Sequence, residues 1–88
     1  MTVQQTVVII MIIEIDGYFQ QVLLTGKKCS KQQLEQMYLK AKELNFEQRD
    51  FSDVFCKIYN FEQIPYSEAI KVDFVIDTDT DRIYSPTY

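Results

Sequence analysis

Hydrophobic residues near the start of the chain predict a long β-strand followed by a hairpin. The segment Thr6–Ile15, TVVIIMIIEI, is apolar at nearly every position and rich in β-branched residues. Its length and branching favour a strand over a buried helix. A strand that is apolar on both sides is normally central in its sheet or covered on its second face. Asp16-Gly17 then supplies the positive-φ dipeptide of a two-residue hairpin, which would place Ile15 opposite Tyr18.

The second strand of this hairpin, YFQQVLLTG, would run from Tyr18 to Gly26. Its middle holds two successive glutamines, Gln20 and Gln21, which interrupt the alternation expected of a half-buried strand. A helix after the turn is therefore the rival prediction for this segment.

Two helices are predicted in the middle of the chain. Ser30 precedes KQQLEQMYLKAKEL, and Gln33 follows it at the spacing of a capping box. Asn45 is suited to end this helix in a left-handed conformation. A second helix is predicted from about Asp50 to Tyr59, with Asp50 or Ser52 as its cap. The apolar stripes of the two helices contain Leu34, Met37, Tyr38, Leu44, Phe51, Val54, Phe55 and Ile58.

The segment IKVDFVI near the carboxyl end has the alternation of a strand with one covered face. It follows Pro65, which favours extended or turned backbone. Arg82-Ile83-Tyr84 can return as a short edge strand before Pro86. The alternation would place Ile70, Val72, Phe74 and Ile76 on one side and Lys71, Asp73 and Val75 on the other.

The order of these elements, β-β-α-α-β with an optional short final strand, predicts an α+β fold. We expect a small two-layer sandwich in which a mainly antiparallel sheet carries both helices on one face. Because the first strand is apolar on both sides, we expect the other face of the sheet to be covered by a second subunit or another partner. A homodimer is therefore a candidate assembly, and a monomer is the alternative.

Length and composition indicate one small folded domain spanning residues 1–88. Hydrophobic residues make up 47% and aromatic residues 14% of the chain, far above the composition of a disordered protein. Met11 opens a stretch that would itself serve as an amino terminus, so residues 1–10 are candidates for an extension, and residues 85–88 for a flexible tail. No run reaches the ~18 apolar residues of a membrane span, and no basic residue precedes the first apolar run as in a signal peptide. We therefore expect a soluble, cytoplasmic protein with no membrane partner.

The chain contains no histidine, which removes several kinds of catalytic site. Ser-His and Cys-His nucleophile pairs, a histidine general base and histidine metal ligands are all excluded. Cys29 and Cys56 have no CxxC spacing and are interpreted as reduced structural thiols. We therefore expect a protein that is not an enzyme and that holds no cofactor.

The formal net charge of −4 is unevenly distributed along the chain. Residues 1–42 carry +2, whereas residues 43–88 carry −6. Binding to a phosphate backbone needs a basic footprint, which a chain of this charge does not supply. We interpret Lys27, Lys28 and Lys31 as a solvated corner, and we expect no direct contact with nucleic acid.

Residues 77–81, DTDTD, are the most chemically suggestive run in the sequence. The aspartates alternate like the first three ligands of a calcium loop, but Arg82 and Tyr88 stand where such a loop needs Gly and Glu. Asp and Thr are also common in tight turns, because their side chains bond the local backbone. A solvated hairpin turn is the preferred interpretation, an acidic recognition surface comes second, and a metal site comes third.

These features favour a non-catalytic function, that of a small acidic regulator or inhibitor that binds a larger protein. Small phage or mobile-element proteins that act on nucleic-acid-handling or defence complexes fit this description. The partner would carry a basic face that carboxylates attract and tyrosines contact. The predicted binding residues are Asp77, Asp79, Asp81, Tyr66, Tyr84 and Tyr88.

The alternative function is that of a divalent-metal enzyme acting on phosphate esters. Such an enzyme would rely on carboxylate ligands, since histidine is missing. Its site would consist of Lys71, Asp73, Asp77, Asp79 and Asp81.

Overall fold

The computed structural model describes residues 5–44, 47–67 and 69–86, which form a five-stranded mixed sheet with two helices packed on it. In chain order the elements are β1 (Thr6–Ile15), β2 (Tyr18–Lys27), α1 (Lys31–Leu44), a 3₁₀ turn (Gln48–Asp50), α2 (Phe51–Tyr59), β3 (Glu62–Ile64), β4 (Phe74–Asp77) and β5 (Arg82–Tyr84). The predicted α+β fold is confirmed, and β3 is a strand that the sequence pattern did not predict.

The strands lie in the order β3-β2-β1-β4-β5, so β1 is the central strand of the sheet. It pairs antiparallel with β2 and parallel with β4. The two outer pairings, β2 with β3 and β4 with β5, are antiparallel. The sheet is therefore mainly antiparallel, as the order of elements predicted.

The first hairpin has the predicted turn and register. Asp16 and Gly17 have φ angles of 53° and 84°, as a two-residue turn between twisted strands requires. Ile15 lies opposite Tyr18, and the pairing continues without interruption to Thr6 opposite Lys27. The segment after the turn is therefore a strand, and the rival prediction of a helix is wrong.

Both predicted helices are present, but only the first has the predicted cap. The Ser30 N–H donates to Gln33 Oε1 at 2.9 Å, and the Gln33 N–H donates to Ser30 Oγ at 3.1 Å, which completes the capping box. Asn45, the predicted end of α1, lies outside the described residues. Asp50 stands at the N-cap of α2 but makes no side-chain capping hydrogen bond, and Ser52 is buried inside the helix.

Both helices cover one face of the sheet, which we call the front face. Tyr38 and Phe55 are fully buried there against alternate residues of β1. Leu44 and Ile58, which were predicted to be buried, are 63% and 39% exposed, because the fully buried positions of the two helices end at Ala41 and Phe55. The β1 residues of the front face are Val7, Ile9, Met11 and Ile13.

The segment before β4 corrects the prediction of a strand over IKVDFVI. Since β3 and β4 lie on opposite sides of the β1–β2 pair, residues 65–73 must cross the sheet. The helices occupy the front face, so this crossing segment, of which residue 68 is not described, passes over the other side, the back face. Ile70 and Val72 accordingly pack with Leu23 and Val75 and not with the helices. The chain itself supplies part of the cover that was expected from a partner.

Candidate protein-binding surface

The β4–β5 turn is an ordered hairpin turn held by its own aspartate. Asp77 Oδ1 accepts hydrogen bonds from the N–H groups of Asp79 at 3.0 Å and Thr80 at 3.4 Å. Thr78 is buried, and both its N–H and its hydroxyl donate to the Ile12 carbonyl, at 3.1 and 2.6 Å. The turn is therefore fixed to the central strand, which confirms the preferred interpretation of this run as a turn.

Asp81 ties the turn to α1. It has a left-handed φ of 57°, and its Oδ1 accepts hydrogen bonds from Lys42 Nζ at 2.5 Å and from the Tyr38 hydroxyl at 2.6 Å. The bonds to Lys42 and Tyr38 lower the pKa of Asp81. Burial, followed by the bond to Asp81, raises the pKa of Tyr38. Asp79 differs, because its carboxylate makes no hydrogen bond or ion pair with any residue that the structure describes.

Strand register places side chains in rows across the back face, because directly paired residues point to the same side of a sheet. Phe19 lies opposite Glu14 at the turn end of the first hairpin. The next two rows each run across β2, β1, β4 and β5 in that order. The first row is Gln21, Ile12, Asp77 and Arg82, and the second is Leu23, Ile10, Val75 and Tyr84.

The crossing segment covers only the part of the back face that lies towards the start of β1. It reaches β4 at Asp73, whose N–H donates to the Val8 carbonyl at 2.8 Å and whose Oδ2 accepts from the Val8 N–H at 2.9 Å. Val8 lies towards the start of β1, and at the opposite end of the back face the described residues leave Phe19 62% exposed. Tyr84 is 38% exposed at the β5 edge of the row that contains the covered residues Leu23 and Val75.

We call this uncovered area the open back face, and it combines apolar and acidic side chains. The Ile12 side chain is half-buried between the strands that carry the two exposed aromatic rings. The Arg82 guanidinium lies 5.8 Å from the centre of the Tyr84 ring and holds that ring in a cation–π contact. The open back face consists of Ile12, Glu14, Phe19, Gln21, Asp77, Arg82 and Tyr84.

The structure brings together only some of the predicted binding residues. Asp77 and Tyr84 belong to the open back face, and the turn that carries Asp79 borders it. Tyr66 is exposed but follows β3 by two residues, towards the opposite edge of the sheet. Tyr88 lies outside the described residues. The role of these residues in binding stays a prediction.

Sequence reasoning missed Ile12, Glu14 and Phe19 as members of this surface. The signal that could have found them is the pair Gln20 and Gln21 beside Phe19. Consecutive polar residues in a strand point to opposite faces, so they mark a part of the strand that is covered on neither side.

The geometry does not favour a metal centre. No group of three or more His, Cys, Asp or Glu side chains within residues 5–44, 47–67 and 69–86 is placed to hold a metal ion. The carboxylates of Asp73, Asp77 and Asp81 instead bind three different parts of the protein. Burial raises the pKa of both Cys29 and Cys56, which disfavours their thiolate forms.

Comparison with known proteins adds no family assignment. A scan against protein-family models and searches of curated proteins and of solved structures gave no match to this chain. Among the helices of the described residues, none is long and apolar enough to cross a membrane.

Proposed function

We propose that this protein is a non-catalytic binding protein, a small acidic regulator or inhibitor that covers a surface of a larger protein. The observation that carries the proposal is the exposure of Phe19 and Tyr84 on one face of the sheet, with Ile12 between their strands. Aromatic residues are enriched in protein interfaces, where they supply large contact areas at little cost in side-chain entropy. Exposed aromatic rings of this kind can each serve as an anchor in a protein interface.

The charges around this centre favour a basic partner. Glu14 and Asp77 belong to the open back face, and Asp79 extends from the turn at its border. Arg82 adds one positive charge at the β5 edge of this face, against the Tyr84 ring. Carboxylates at the rim of an interface speed the approach of a positively charged partner, and salt weakens this effect.

Proteins that handle nucleic acid carry such basic faces, so they are the partners that this surface fits best. An acidic protein that occupies the basic face would compete with the phosphate backbone for the same site. This is the action expected of a phage or mobile-element inhibitor of a nucleic-acid-handling or defence complex. Such complexes work in the cytoplasm, where we propose that this protein acts.

The test begins with chemical cross-linking of the protein in the cells that express it, followed by purification of the captured partner. Binding of that partner is then measured for Phe19→Ser and Tyr84→Ser. If these rings are central to the interface, each substitution should weaken binding at least about tenfold, as loss of an interface hot spot does. Leu39→Ser is the matched control, because Leu39 is 59% exposed on α1, away from this face.

Asp79→Asn tests the electrostatic part of the proposal without disturbing the turn, since neither Asp77 nor Asp81 is changed. This variant should slow association at low salt and leave dissociation nearly unchanged. The proposal fails if the partner binds both serine variants as tightly as the parent, or if Leu39→Ser weakens binding to the same extent.

A further inference from the structure

A cavity of about 490 Å³ lies on the side of the sheet that carries the helices, where the end of β2 and the start of α1 meet the end of α2. Its size is within the range of roughly 300–1,000 Å³ that small-molecule sites occupy in proteins. Its walls come from residues 27–29, from one side of α1, and from Tyr59 and Phe61. The cavity is separate from the open back face, since its described lining shares no residue with that surface.

The floor of the cavity is apolar and is held in place by the contacts beneath it. The rings of Tyr59 and Phe61 lie 5.0 and 5.4 Å from that of the buried Phe55, measured between ring centres. The Tyr59 hydroxyl donates to the Met37 carbonyl at 2.8 Å, which ties the end of α2 to α1. Phe61 lies directly on the backbone of Gly26, where a Cβ atom would come to 2.5 Å from the ring. The floor is therefore preformed, and a ligand would not have to order it.

The charged groups around this floor are all positive. Lys27, Lys28 and Lys40 line the cavity, and no aspartate or glutamate of the described residues does. None of the three lysines forms an ion pair with a residue that the structure describes. The chain as a whole has 13 acidic and 9 basic residues, so this part of the surface has the opposite sign to the molecule. The cavity therefore favours an anionic ligand, although the protein is acidic.

Neutral hydrogen-bond donors lie beside the lysines on the wall that α1 provides. Gln33 Oε1 accepts from the Ser30 N–H in the capping box, which leaves the NH₂ group of Gln33 able to donate to another acceptor. Gln36 is exposed and lines the same wall about one turn further along. Amide and ammonium groups are both donors to phosphate oxygens, and those from ammonium groups form the stronger bonds.

We propose that this cavity, which we call the lysine cavity, binds a phosphate monoester with a flat apolar body. The body would lie over the half-buried side chains of Met37 and Tyr59, with the buried Phe61 beside them. A phosphate monoester carries a charge of about −1.5 to −2 near pH 7 and three acceptor oxygens, which suits several ammonium groups better than a carboxylate does. The proposal does not rest on the proposed function, because the lysine cavity and the open back face lie on different sides of the sheet.

The test uses naphthyl phosphate as the probe, with naphthol and inorganic phosphate as its two halves and naphthoate as a carboxylate of the same shape. Binding to the full chain is followed by two-dimensional amide NMR at constant ionic strength, up to about 5 mM ligand, a range suited to a ligand of this size. The probe should shift the signals of residues 27–29, 33–40 and 59–61. It should bind at least about tenfold more tightly than either half, and more tightly than naphthoate.

Gln36→Glu tests the charge of the lysine cavity, because it places a carboxylate on the wall, four residues before Lys40, with which it can pair. This variant should weaken binding of naphthyl phosphate at least about tenfold. Gln32→Glu is the matched control, with the same change of charge on the same helix at a position outside the described lining. It should change binding by less than about twofold, since solvent and salt screen a charge at that distance. Both glutamines are exposed, so both variants should keep the melting temperature of the parent.

Absence of binding at millimolar naphthyl phosphate overturns the proposal, as does equal weakening by Gln36→Glu and Gln32→Glu. Naphthol that binds as tightly as the probe would show that the lysines contribute nothing, and the same result for inorganic phosphate would show that the apolar floor contributes nothing. Either result also overturns the proposal. Naphthoate that binds as tightly as the probe would overturn the choice of a phosphate ligand.

Discussion

The two halves of β2 share one pairing partner but have opposite environments. The inner half, Val22, Leu23 and Leu24, is at most 8% exposed, although its side chains point alternately to both faces. The outer half, residues 18–21, is exposed on both faces. Both halves pair with β1 in one continuous antiparallel register.

The difference lies in what surrounds the hairpin. Around the inner half, the helices cover the front face, the crossing segment packs on the back face and β3 closes the edge. Among the described residues, none of these covers the outer half, which is held by pairing with β1, by its turn and by the ion pair between Asp16 of that turn and Arg49, at 3.2 Å. A two-stranded ribbon without cover is marginal by itself. The outer half therefore depends on the sheet from which it extends, and its side chains are open to another chain on both faces.

Removal of residues 1–10 should destabilise the fold more than any other change, because it deletes the part of β1 that packs under the helices and pairs with β4. Val7 and Ile9 are buried on the front face, and Ile9 and Ile10 pair with β4. We expect the shortened chain to lose its cooperative unfolding transition in denaturant, followed by circular dichroism, and to aggregate. An unchanged melting temperature would show that the first ten residues are a dispensable extension.

Alanine substitutions in the two halves of β2 should differ strongly in their effect on stability. Leu24 is completely buried among front-face residues, so Leu24→Ala should lower the free energy of unfolding by about 2–5 kcal/mol. Gln20→Ala should change it by less than about 0.5 kcal/mol, since Gln20 is exposed. Similar losses at the two positions in urea titrations would contradict the distinction between the halves.

Asp81→Asn should have a smaller effect, which depends on pH. The carboxylate is half-exposed, so its bonds to Lys42 and Tyr38 should contribute less than about 1 kcal/mol at pH 7. Because folding lowers the pKa of Asp81, this stabilisation is present above the unfolded pKa of about 4 and is lost as the pH falls through the lower folded pKa. The stability difference between parent and variant should therefore shrink in acid.

The matched control is Asp79→Asn, at a carboxylate without a partner among the described residues. Urea titrations at pH 7 should show a larger loss for Asp81→Asn than for Asp79→Asn, and the loss for Asp81→Asn should be smaller at about pH 3. Equal behaviour of the two variants would mean that Asp81 does not anchor the turn.

Local signals in the sequence were sufficient for the elements that depend on neighbouring residues. The positive-φ pair Asp16-Gly17 predicted the first hairpin and its register, and Ser30 with Gln33 predicted the start of α1. These features are determined within a few residues, so they can be recognised without knowledge of the fold.

The path of the crossing segment could not be predicted in the same way. Its residues alternate like those of a strand, yet Ile70 and Val72 lie on the back face while Phe74 and Ile76 lie on the front. That reversal occurs because β3 lies at the far edge of the sheet and the chain must cross from it to β4. β3 itself could not be recognised in the sequence, because a strand of three residues leaves only a weak pattern. For the same reason the open back face, which depends on where this segment crosses, was only partly predicted.

Amide hydrogen exchange distinguishes the two halves of β2 residue by residue. At low concentration, the N–H groups of Leu23 and Thr25 should exchange slowly because they face β3, whereas those of Phe19 and Gln21 should exchange rapidly. Exchange at Phe19 and Gln21 as slow as at Leu23 and Thr25 would show that the two halves of β2 do not differ in their cover.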